Sequence, residues 1–257
     1  MTITYHASGE ITEIRGVILA FLKKQKALFP NYKVIDIGGG ANAWADEYVD
    51  SYVDICEFNC EFNTDKKLFV GNICESKIWS EIANEVSKYD FSVCTHVFED
   101  IRDPSFVAKG LMTISKAGFI SMPNKHTEMS NIESPAYLGY CHHRWIFDIC
   151  NGSNSPYLRG IAKFPIVNYW NTAQNPLVKF IHLLGKHRLG EKINRRIGFI
   201  PGLGGLDWVL PKLASRTKEL GFQWQEDFEF RLINNDYAGN SYIELANLYV
   251  NLLKEGI

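Results

Sequence analysis

The chain lacks long apolar runs, a charge of one sign and paired cysteines. No apolar stretch approaches the about 20 residues needed to cross a bilayer. The best candidates, such as residues 16–21, are far too short, so no membrane span is expected. The start, MTITYHASGEITEIRG, has no basic segment followed by an apolar one, so no secretory signal is read and a cytoplasmic protein is expected. A formal net charge of −2 gives no global reason to bind nucleic acid, which needs clustered Lys and Arg to neutralise phosphate. The six cysteines, at 56, 60, 74, 94, 141 and 150, form no C-x-x-C pair. That excludes a zinc framework or disulfide scaffold and leaves reduced thiols as core fillers. Cys141 does adjoin His142 and His143, but adjacent residues rarely converge on one tetrahedral ion, so no metal is expected. Internal repeats and low-complexity segments are also absent.

What is present is an ordinary globular composition, with 46% hydrophobic and 22% charged residues in 257, enough chain for a sizeable core. Residues 9–28 place Ile11, Ile14, Val17, Ile18, Phe21 and Leu22 near helical spacing, and Pro30 stops the run, which predicts an amphipathic helix before the first strand. Strands are predicted at 32–37, 51–56, 67–70, 89–94 and 118–122, with helices at 41–48, 73–88 and 104–115. Alternation of this kind implies a mostly parallel sheet covered on both faces, with ligands bound beyond the C-terminal strand ends. Further along, a strand is predicted at 159–169, helices at 175–184 and 241–254, a bend at 201–205, and one half-exposed strand at 222–232.

The first predicted strand ends in Asp36-Ile37-Gly38-Gly39-Gly40. Glycines let a ligand approach the backbone closely because they lack Cβ and tolerate positive φ. Gly38, Gly40 and Ala43 also fit G-x-G-x-x-[GA], with Asp54 and Glu57 downstream, so a nicotinamide dinucleotide is one candidate ligand. Asp36 argues for another. A carboxylate there suits a ligand with a cationic ammonium group better than a pyrophosphate, which seeks backbone N–H donors. S-adenosylmethionine carries an ammonium and a sulfonium. Its ribose needs a carboxylate at the end of the next strand, where Asp54 stands, with Glu57 as the fallback. A plain turn or capping role for Asp36 is the alternative.

Four segments in order, VIDIGGGANAWADEYVDSYVDI, YDFSVCTHVFEDIRDP, GFISMPNKHTE and GYCHHRWIF, together resemble the class I S-adenosylmethionine-dependent methyltransferases of the type-11-like subgroup with a downstream HHRW signature. The resemblance covers residues 34–147 and implies a Rossmann-like α/β fold. It implies that Gly38 and Gly40, with Gly39 and Asn42 in the same loop, cradle the methionine part of the cofactor. Asp36 would receive its amino group, Asp54 would hold the ribose, and Asn72-Ile73 would lie at the adenine. Thr95 and His96 would stand near the transferable methyl, or serve as a cap and a structural histidine. Three positions depart from the subgroup: Ala43 replaces a Pro, Asn72 an acidic residue and Asp100 a His.

On the acceptor side, the resemblance brings Asn124 and the run His142-His143-Arg144-Trp145, which combines a base, a cation and an aromatic surface. A histidine of ordinary pKa can take a proton from a hydroxyl or ammonium acceptor. His143, directly before Arg-Trp, is the preferred base, with His142 and His96 as further catalytic candidates. The alternative is that this run fixes a loop, with Trp145 packed beneath. Between 175 and 196, six Lys and Arg residues face the single acid Glu191, either a solvated face or an attraction for an anionic acceptor.

The expected organisation is a cofactor-binding core at 1–150, an acceptor-side cap at 151–222 and a strand and helix completing the core at 223–257. The expected activity is methyl transfer to a small-molecule acceptor, such as a sugar or surface-glycan precursor. An NAD(P)-dependent oxidoreductase and a non-catalytic scaffold with the same fold are the alternatives. Nucleic acid is not expected as a partner, since no N/D-P-P-Y/F-type motif appears, and no oligomeric state is read from the chain.

Overall fold

A computed structural model describes residues 2–40, 43–57, 66–129, 139–140, 142–152, 155–163 and 219–233. A seven-stranded sheet is built from β1 (Thr2–Gly9), β2 (Val34–Ile37), β3 (Ser51–Asp54), β4 (Lys67–Val70), β5 (Phe91–Thr95), β6 (Ala117–Pro123) and β9 (Glu219–Gln225). Its order is β1-β9-β6-β5-β2-β3-β4. Strands β2 to β6 are parallel, and β9 runs antiparallel between β6 and β1. A second sheet of three strands, β10-β8-β7, comprises β7 (Trp145–Asn151), β8 (Pro156–Ala162) and β10 (Phe230–Ile233). This is a Rossmann-like α/β fold, with the mostly parallel, doubly covered sheet that the alternating pattern implies.

Both faces of the large sheet are covered because its central strands bury residues on both sides. Helix α1 (Ile11–Leu28) buries Ile14, Ile18 and Leu22, four residues apart, against Val34, Phe91, Val93 and Phe119. Each such side chain contributes about 1.5–3 kcal/mol on leaving water. Helices α2 (Ser76–Glu85) and α3 (Pro104–Ile114) cover the other face, packing Ile78, Trp79, Ile82, Val107 and Leu111 on Ile35, Ile37, Cys94 and Ile120. Asp103 caps α3 by accepting from the Phe106 N–H at 3.0 Å, with Pro104 in the first turn, as helix starts favour. The small sheet joins that second core through Phe147, Leu158, Phe228 and Phe230.

Several expectations are corrected. Strand β1 precedes the first helix, where no strand is predicted; it is an edge strand of alternating exposed and half-buried residues after the buried Ile3, held by pairing with the distant β9. In the predicted helix at 41–48, the described part holds a single 3-10 turn at Asp46–Tyr48. The half-exposed strand predicted at 222–232 is two strands in two sheets, since Glu226 takes φ 67 and breaks the run. Phe222 and Trp224 are fully buried. The expected boundaries after 150 and 222 fall inside β7 and β9. Strand β8 starts earlier than the one predicted at 159–169, whose end lies outside the described residues. The segments at 175–196, 201–205 and 241–254 also lie outside them.

Candidate functional site

The strand order reverses between β2 and β5, and at such a switch point the loops leave a crevice beyond the carboxyl ends of the strands. The Asp36–Gly40 turn lies on one side and Thr95-His96 on the other, because Asp36 pairs with Val93 and Ile37 with Cys94. The turn is tied down where the Gly38 N–H donates to the Val53 carbonyl at 2.8 Å. Gly38 (φ 76) and Gly40 (φ 63) adopt the left-handed conformation. A Cβ on Gly38 would lie 2.6 Å from Val97 Cγ2, and one on Gly39 would lie 2.3 Å from Asp36 Oδ1. Asn42 lies outside the described residues.

Asp36 is 1% exposed, and among the described residues neither of its carboxylate oxygens has a hydrogen-bond partner. Burial pushes its pKa up to about 7, since desolvation disfavours the charged form. The Asp54 carboxylate adds to the push, while Arg15 and the nearby Gly39 N–H, short of good hydrogen-bond geometry, oppose it. An unpartnered buried carboxylate is a costly feature for a structural turn to keep.

Asp54 ends β3 half-exposed and, among the described residues, its carboxylate accepts a single long 3.4 Å bond, from the Cys56 N–H. Beside it Ile55 is 69% exposed, and the fallback Glu57 is exposed as well. Asn72 is exposed and organises the turn into α2. Its Oδ1 accepts from the Cys74 N–H at 2.9 Å and its amide donates to Glu75 at 3.1 Å. Ile73 packs against the core.

Thr95 is buried and accepts from Trp44 Nε1 at 3.2 Å, and Arg15 lies over that indole at 5.4 Å. His96 takes φ 55, a strained choice for a residue other than glycine. Its Nδ1 lies 3.1 Å from Glu99 Oε1 and its Nε2 lies 2.7 Å from Glu219 Oε1. Burial alone would lower the imidazole pKa, but hydrogen bonds to Glu219 and Glu99 raise it to about 10. Near neutral pH the ring then already holds its proton, which suits the structural alternative for His96. Neither glutamate was singled out from the sequence. Glu99 was findable from its i, i+3 spacing to His96, whereas Glu219 arrives on the far strand β9 and carries no local signal.

The HHRW run is fastened to the loop after β5. The Arg144 N–H donates to the Glu99 carbonyl at 2.6 Å and Trp145 Nε1 to the Ile101 carbonyl at 2.8 Å. The Arg144 side chain is exposed. His143 is buried, with Nδ1 2.6 Å from Glu128 Oε1, and Lys163 holds the other Glu128 oxygen at 2.8 Å. His142 is exposed beside it, with ring centroids 4.4 Å apart. Asn124 is buried as the cap of α4 (Lys125–Glu128), accepting from the Thr127 N–H at 2.8 Å and donating to Ser8 Oγ at 3.0 Å. Asn124 and Trp145 thus make internal structural bonds, while Arg144 and His142 keep exposed side chains.

No family model and no curated protein matches the chain. Solved structures similar to it include a SAM-dependent methyltransferase from Thermotoga maritima, 17% identical over 45% of this chain and 55% of that one, TM-score 0.30. Another is the trans-methyltransferase CalH in complex with SAH, 13% identical over 41% and 36%, TM-score 0.35. A candidate sarcosine dimethylglycine methyltransferase from Galdieria sulphuraria is 14% identical over 85% and 87%, TM-score 0.40. The chain spans about half or less of the length of the first two.

Proposed function

We propose that this chain is an S-adenosylmethionine-dependent methyltransferase acting on a small-molecule acceptor. The observation that carries the reading is the buried, unpartnered Asp36 carboxylate beneath a turn in which Gly39 has no room for a Cβ. A cation placed over this turn would restore the carboxylate charge that burial opposes, whereas a pyrophosphate would meet repulsion from it. The ammonium of the cofactor's methionine part is such a cation. Asp54, half-exposed at the end of the neighbouring strand, has oxygens available for two ribose hydroxyls, and the exposed Ile55 beside it offers an apolar surface to a flat base.

When bound, S-adenosylmethionine supplies a methyl group activated for in-line displacement. The chain's own residues bind, position and exclude water, which for such a displacement is the greater part of the catalysis. Thr95, fixed by Trp44, and His96, fixed by two glutamates, form the rim of the crevice opposite the glycine turn. His96 contributes a fixed positive charge and not a proton acceptor. His142, exposed beside the buried His143, is the ring of the HHRW run more open to an acceptor. The acceptor class we favour is a sugar-linked or otherwise anionic small molecule, a preference supported by the six Lys and Arg residues between 175 and 196 in the sequence.

Calorimetric titration with S-adenosylmethionine, S-adenosylhomocysteine and NADH tests the proposal. Binding of the first two and not of NADH is expected. Binding of NADH alone would replace the reading with an oxidoreductase, and binding of none would favour a non-catalytic scaffold.

A further inference from the structure

Among the described residues, Asp100, His142 and His143 bring three ligand atoms within 4.8 Å of one another. Asp100 Oδ1 lies 3.9 Å from His142 Nε2 and 3.8 Å from His143 Nε2. These separations are too long for hydrogen bonds, so the three groups converge without satisfying each other. An ion between them needs only rotamer-scale adjustment to reach the about 2.0–2.2 Å bond lengths of Zn²⁺ to imidazole nitrogen and carboxylate oxygen. Adjacent histidines alone would not make such a site. The third ligand comes from the loop after β5, which the Arg144 N–H to Glu99 carbonyl bond clamps against the HHRW run.

The surroundings of His143 give a second, independent indication. Its Nδ1 is 2.6 Å from Glu128, a carboxylate that is 1% exposed and anchored by Lys163. A carboxylate accepts from Nδ1–H and so leaves the Nε2 lone pair directed towards Asp100. Metal-binding histidines are characteristically held by a partner of this kind, which fixes tautomer and ring orientation. A Cβ on Gly139 would lie 2.4 Å from the Glu128 carboxylate, so the loop leading into the histidines is shaped to admit it.

The geometry points to a divalent transition-metal site formed by Asp100, His142 and His143. Two imidazoles and one carboxylate favour ions such as Zn²⁺, Co²⁺ or Fe²⁺ over Mg²⁺ or Ca²⁺, which prefer all-oxygen ligands. The Asp100 and His142 side chains are 41% and 58% exposed, so the ion would keep open positions on the solvent side for water or for an oxygen-bearing ligand. Use of those positions to anchor the acceptor rests on the methyltransferase reading; binding of the ion does not.

The test is titration of the full chain, stripped with a chelator and free of S-adenosylmethionine, with Co²⁺ followed by its visible d–d absorption. A saturable His-ligated spectrum, displaced by Zn²⁺, is expected. Affinity should fall by at least about tenfold in both His142→Ala and Asp100→Ala, by comparison with losses of about 10–100-fold when only an outer-shell partner is removed. Both positions are exposed, so the variants should fold, and equal melting temperatures verify it. No saturable change of the visible spectrum beyond that of free Co²⁺, or affinity unchanged in both variants, overturns the proposal. Because the readout needs no methyl transfer, a failure here is distinguishable from a failure of the proposed activity.

Discussion

His96 Nε2 lies 2.7 Å from Glu219 Oε1, which joins the end of β5 to the start of β9 through a charge pair. Glu99 takes the other ring nitrogen. The imidazole pKa is raised to about 10 from the ordinary 6.5. Stability from this pairing is therefore complete below about pH 6.5 and is lost as pH rises through about 10. In proton–nitrogen NMR of the histidine rings, His96 should remain doubly protonated between pH 5 and about pH 8.5. Titration near its ordinary value would show that the clamp does not form.

Replacing His96 by Asn tests the charge without burdening the backbone, because Asn tolerates positive φ. Breaking one side of a buried pair costs about 3–5 kcal/mol. The ring is 37% exposed, so water screens part of this and about 2 kcal/mol is the expected loss. Denaturant unfolding at pH 7 measures it, and an unchanged midpoint would contradict it.

The glycine turn predicts a graded series. Gly39→Ala places a Cβ 2.3 Å from Asp36 Oδ1 and should abolish binding of S-adenosylhomocysteine. Gly40→Ala meets no atom of the described residues within 4 Å and carries the strain of φ 63, about 1–2 kcal/mol. It should lower the melting temperature modestly and keep measurable binding. Equal effects of the two in calorimetry would remove the special role given to the Asp36–Gly39 contact.

Lys163→Met leaves Glu128, 1% exposed, without its cation. A loss of about 3–5 kcal/mol is expected from that uncompensated carboxylate. Chemical denaturation of the variant should show it, and a loss within the few tenths typical of surface changes would mean that His143 alone suffices.

The central strands were legible because each is a short buried run bounded by turn residues. Val34–Ile37 and Phe91–Thr95 are buried throughout, which is what an apolar run at the middle of a parallel sheet must be. The glycine turn and Asp36 were legible for the same local reason. Elements fixed by distant partners were not: β1 alternates too weakly to declare itself, and it exists through its ladder with β9. The break at Glu226 depends on its φ of 67, a backbone state that no side-chain pattern announces. The sequence leaves His96 open between a catalytic and a structural role because its two carboxylate partners converge only in three dimensions.

The most direct measurement is the pH dependence of S-adenosylhomocysteine binding, with proton release measured in two buffers of different ionisation enthalpy. Asp36, at about 7 without ligand, must give up its proton when an ammonium pairs with it. Below about pH 7 binding should weaken, by roughly 50-fold between pH 7 and pH 5, with proton release near neutrality. In Asp36→Asn the affinity should be lower, with no proton release and a flat profile. Without ligand the linkage runs the other way: stability attached to the raised pKa is present below the ordinary 3.8 and lost as pH rises through about 7. Asp36→Asn should then melt higher than the parent at pH 8, with the gap narrowing at pH 5 and closing only below about pH 3.8. Tight binding by the parent with no proton release and no pH dependence, matched by Asp36→Asn, would contradict the placement of the cofactor at this turn.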